Sequence, residues 1–160
     1  MSDAKLLSIY LNDHLAGATA GRELARRAHA SNRDNAFGEF LGRLADEIEE
    51  DRQSLLELMR RLDVSEDRPK QAGLWLAEKA GRLKLNGRLW GYSPLSRVVE
   101  LEGLLLGVTG KLSLWRALER LATTSNRLAG IDLARLIERA ERQQSELDEQ
   151  RLSAVEEALG

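Results

Sequence analysis

Residues 37–62 read FGEFLGRLADEIEEDRQSLLELMRRL, and one set of positions in this stretch decides the fold. Phe37, Leu41, Leu44, Ile48, Asp51, Leu55, Leu58 and Leu62 are spaced alternately by four and three. That spacing returns to one face of an α-helix at every turn and marks the seam of a helical bundle. A strand would need alternation by two. The pattern predicts a helix over 36–62 with one polar residue, Asp51, inside its apolar stripe.

The flanks extend the same reading. Upstream, Ser31-Asn32-Arg33-Asp34-Asn35 is a run of turn-forming residues. Before it, Leu7, Leu11, His14, Ala18, Gly21, Ala25 and Ala28 form an apolar stripe at helical spacing, predicting a helix over 3–30. Downstream, 63–68 is a charged connector, and Pro69 suits the first turn of a further helix over 69–85, which Asn86-Gly87 would stop. Ser93-Pro94 reads as an N-cap followed by a first-turn proline, opening a helix over 94–122. Asp132 can cap a last helix over 132–158. Short loops make 3–30 and 36–62 one antiparallel hairpin and 94–122 and 132–158 another. The link between hairpins is about thirty residues, and its helix of about seventeen residues spans roughly 25 Å. That length returns the chain to the opposite end of the bundle, so the second and third long helices run in the same direction. The expectation is one all-α domain over 1–160.

Composition agrees. About one residue in five is leucine, β-branched residues are scarce, and there are only 2 prolines, a mix that favours helix over strand. The 24 basic and 26 acidic residues are well mixed and give a net charge of −2, so no overall field draws in nucleic acid or anionic lipid. Lys79, Arg82, Lys84, Arg88 and Arg97 lie near Trp90 and Tyr92, a pattern that single-stranded nucleic acid can use. Without a nucleic-acid-binding fold motif it reads as a solvated face. The absence of cysteine removes disulfides, thiolate metal sites and thiol nucleophiles. Phosphate-binding glycine loops, zinc spacings, HExxH and a Ser/His/Asp order are also missing. Met-Ser-Asp-Ala-Lys does not resemble a signal peptide, and the longest uncharged leucine-rich run, 103–110, is far below the roughly 18–20 residues that span a bilayer. These features lead to the expectation of a cytoplasmic protein that does not enter the membrane.

Two local stretches, YLNDHLAGA over 10–18 and EIEEDRQSL over 47–55, set in two hairpins joined by a long crossover, resemble the ferritin-like superfamily, its small bacterial members in particular. The resemblance implies a ferritin-like four-helix bundle with an extra helix in the crossover. In that superfamily a di-iron centre takes a Glu from each of two helices and a Glu-x-x-His from each of the other two. This chain has no Glu-x-x-His. Ile48-x-x-Asp51 stands in its place on the second helix, His14 stands where the first helix would carry Glu, and Glu102 is the candidate inward carboxylate on the third long helix. Gln143 and Gln144, with Glu141 beside them, occupy the fourth. The resemblance therefore implies the fold without the cofactor. The first expectation is a non-catalytic bundle with a structural or interaction role and no cofactor. A second is a divergent metal-carboxylate protein in which His14, Glu47, Asp51 and Glu102 hold iron or manganese. A third is a small-molecule binding bundle whose cavity is lined by His14 and Asp51.

His14 and Asp51 each interrupt an apolar stripe at nearly equal distance from Arg33, the middle of the first turn. An antiparallel hairpin centred there brings them to one level, where a buried pair would hydrogen-bond, because an unpaired buried polar group costs about 1–3 kcal/mol. Glycines recur four apart inside the predicted helices, at Gly17/Gly21, Gly38/Gly42 and Gly103/Gly107. Each weakens its helix by about 1 kcal/mol relative to Ala, which close helix approach or a contact between copies of the chain would offset. With the leucine surplus of 101–112, these glycines lead to the expectation of a homodimer.

Overall fold

The computed structural model describes residues 2–67 and 91–160. The helix expected over 69–85 and the basic stretch up to Trp90 lie outside the described residues. Within them the chain is all-helical: α1 is Asp3–Ser31, α2 is Gly38–Arg61, α3 is Pro94–Ala122 and α4 is Leu133–Leu159. A single 3-10 turn, Asn126–Leu128, lies between α3 and α4. The caps are those that the side chains dictate. Ser93 accepts from the Ser96 N–H while the Ser96 hydroxyl accepts from the Ser93 N–H, a reciprocal capping box ahead of Pro94. Asp132 accepts from the Arg135 N–H at the start of α4. No helix among the described residues is long and apolar enough to cross a membrane.

Cross-helix contacts fix the directions. Thr19 meets Arg52, Arg22 meets Glu49 and His29 lies against Gly42, so α1 and α2 are antiparallel. Arg97 meets Glu157, Thr109 meets Gln144 and Arg116 meets Glu141, so α3 and α4 are antiparallel. Leu24 touches Gly103 and Asn32 binds Arg97, which sets α3 antiparallel to α1. Helix α3 therefore runs the same way as α2. The described chain leaves α2 at the end of the bundle where Asn12 binds Ser65 and Asp67, and resumes at the opposite end, where Asn32 binds Tyr92.

The contacts of α1 and α2 also move the hairpin. Its centre lies near 35–36, not at Arg33. Asn32 still belongs to the end of α1, its N–H bonded to His29 O, and Asn35 then turns the chain by accepting from the N–H groups of Phe37 and Gly38. Asp51 comes level with Ala20, which leaves His14 about six residues, roughly 9 Å, further along the axis.

The core forms two apolar blocks. One holds Leu55, Leu58, Met59, Trp115, Leu118 and Leu136, and the other Leu41, Leu44, Ile48, Leu101, Leu104 and Leu147. Each fully buried leucine contributes roughly 1.5–3 kcal/mol by leaving water. Between the blocks three seams change chemistry at one level. On α2 the change is Asp51, between Ile48 and Leu55. On α3 it is Lys111, between Val108 and Trp115, and on α4 it is Gln143, between Ala140 and Leu147.

Candidate functional site

The three seam-breaking residues meet. Lys111 reaches across the bundle so that its Nζ donates to Asp51 Oδ2 and to Gln143 Oε1, each at 2.5 Å. Gln143 Nε2 donates to Glu47 Oε2 at 2.8 Å, and Arg142 donates to the other oxygen of Glu47 at 2.8 Å. The Asp51 side chain is 2 % exposed and that of Lys111 15 %, so this is a buried ion pair roofed by a surface network. Arg139 Nε lies 3.1 Å from Asp51 Oδ1, near enough for charge attraction. It is out of line for a hydrogen bond, so both atoms lack a hydrogen-bond partner among the described residues.

Electrostatics follow the geometry. Burial pulls the Lys111 ammonium below the usual lysine range, opposed by the charge and hydrogen bond of Asp51. Burial pushes the Glu47 carboxyl up, but hydrogen bonds from Gln143 and Arg142 and the charges of Arg142 and Arg43 outweigh it, so it sits below the ordinary glutamate value. Burial also pulls the His14 imidazole below the ordinary histidine value, partly countered by Asp13.

On α1 the same level carries glycine instead of a side chain. Gly17, Ala18 and Gly21 face Gly107 and Gly110 of α3 across a partly open pocket of about 180 Å3. His14, Asp51, Lys111 and Trp115 also line it. The helical glycines therefore fall into two kinds. A Cβ at Gly38 would lie 2.5 Å from Asn32 O, and one at Gly103 3.1 Å from Leu24, so these two serve close packing. Among the described residues, a Cβ at Gly17, Gly21, Gly107 or Gly110 would meet nothing within 4 Å, and Gly17 and Gly107 are exposed.

Of the four residues expected to hold metal, the structure joins Glu47 and Asp51 into one network through Gln143, which donates to Glu47 and reaches Asp51 at 3.5 Å. Glu102 is exposed, because 101, 104 and 108 define the buried face of α3 and position 102 turns away from it. The inward carboxylate on that helix is Glu100, 1 % exposed, at the end of the bundle beside Tyr92. His14 lines the cavity but makes no hydrogen bond to Asp51; Tyr10 packs edge-on against its ring, with centroids 4.7 Å apart. The hydrogen bond expected between His14 and Asp51 is replaced by the one from Lys111, as the shifted hairpin register requires. Glu141 is an exposed partner of Arg116.

These donors do not fit a di-iron centre. The one fully buried carboxylate at the layer is neutralised by Lys111 and Arg139, and no three His, Asp or Glu side chains among the described residues converge as metal ligands. No protein-family model, curated protein or solved structure matches the chain.

Lys111 carries its own seam signature in the sequence. Leu104, Val108, Lys111, Trp115 and Leu118 repeat the alternation of four and three that exposes Asp51 on α2. The surplus of leucines at 101, 105, 106 and 112 hid which stripe was the seam.

Proposed function

We propose that the chain is a non-catalytic bundle of ferritin-like topology in which an internal ion pair takes the place of the metal centre. Its role is binding or scaffolding, without redox chemistry. The observation that carries this reading is the Lys111 ammonium seated on Asp51 and Gln143. A cation supplied by the chain neutralises the central carboxylate, as a bound metal would. The topology is supported by the parallel course of α2 and α3 and by the two ends of the bundle at which the chain leaves and resumes. The layer offers no thiol, no redox group and no free nucleophile, since the ammonium is engaged by two acceptors.

The test is elemental analysis of protein purified without chelator or histidine tag, together with thermal unfolding before and after addition of Fe(II) or Mn(II). The expected result is far less than one metal per chain and no change in Tm. Stoichiometric iron, manganese or zinc that is lost on Asp51→Ala would overturn the reading. The same proposal includes a homodimer, supported by the outward face of α3, where Leu106 is 67 % exposed. Light scattering across micromolar concentrations is expected to give twice the chain mass, and a monomer throughout contradicts it.

A further inference from the structure

We draw no further inference here: the strongest candidate, the open groove between α1 and α3 lined by Gly17, Gly21 and Gly107, is marked only by a stripe of small residues, and nothing among the described residues shows what covers it.

Discussion

Asn32 and Asp51 are almost equally buried, at 1 % and 2 % exposed, and their surroundings differ in kind. At the end of the bundle Asn32 uses its whole amide. Its Nδ2 donates to Ala28 O at 2.8 Å and Tyr92 Oη at 2.6 Å, and its Oδ1 accepts from Asn35 at 2.9 Å and Arg97 at 2.7 Å. Tyr92 passes the chain of bonds to the buried Glu100, and Arg97 continues it to Glu157 while its guanidinium covers the Phe37 ring at 4.4 Å. Burial, reinforced by Glu100, pushes the Tyr92 hydroxyl up to about 12, so it stays a donor across the working pH range. The central layer is different. Its ion pair is well made, but Asp51 Oδ1 and Arg139 Nε meet at 3.1 Å by charge alone, and among the described residues neither they nor Trp115 Nε1 has a hydrogen-bond partner. A fully partnered cluster locks α1, α3 and α4 together at one end, whereas the centre is held by charge and leaves hydrogen-bonding capacity unused.

The contrast can be sharpened or broken by substitution. The largest effect is expected from Asp51→Leu, which strands the Lys111 ammonium in the core and should cost about 3–5 kcal/mol by urea unfolding. A loss below about 1 kcal/mol would mean that the ammonium escapes to water and the centre is no ion pair. Asn32→Ala should cost about 1–3 kcal/mol, since Tyr92 and Arg97 keep other partners when the amide is removed.

The glycines separate the two regions by sign. Gly38→Ala, at the satisfied end, drives a methyl against the backbone of Asn32 and Arg33 and should destabilise by about 1–3 kcal/mol. Gly21→Ala, at the pocket, should stabilise by about 1 kcal/mol in thermal or urea unfolding, because the helix gains and none of the described residues is displaced. The same sign at both positions would erase the distinction.

The smallest effect is in acid. The folded-state pKa of Glu47 lies below its unfolded value of 4.5, so the stability it adds is complete above that value and fades as pH falls through the folded pKa. Urea midpoints should therefore drop below about pH 4.5 and drop less steeply in Glu47→Gln, in which no carboxyl remains to be protonated.

Much of this was written in the seams. The alternation of four and three on 37–62 carries α2 and singles out Asp51. Ser93-Pro94 and Asp132 mark the starts of α3 and α4 because their side chains satisfy free N–H groups. The site was harder to read. Asp51 advertised a buried polar partner, but the choice of His14 rested on taking Arg33 as the middle of a symmetric turn. Asn32 and Asn35 bond to the backbone around them and shift the turn by two to three residues, enough to move His14 well over one helical turn away. Lys111 carries the same seam signature as Asp51, masked by surplus leucines. The pocket between α1 and α3 was not legible at all, because a helical glycine reads the same in sequence whether its missing methyl admits a neighbouring helix or leaves a groove.

The most direct test of the ion-paired centre is a double-mutant cycle of Asp51→Leu and Lys111→Met, measured by urea unfolding of the wild type, both single variants and the pair. The account predicts a coupling of about 2 kcal/mol or more, with the double variant closer to the wild type than either single one, because neither charge is then stranded. Losses that simply add would contradict it: Asp51 and Lys111 would then be stabilised independently, and the centre of the bundle would not be held by their pairing.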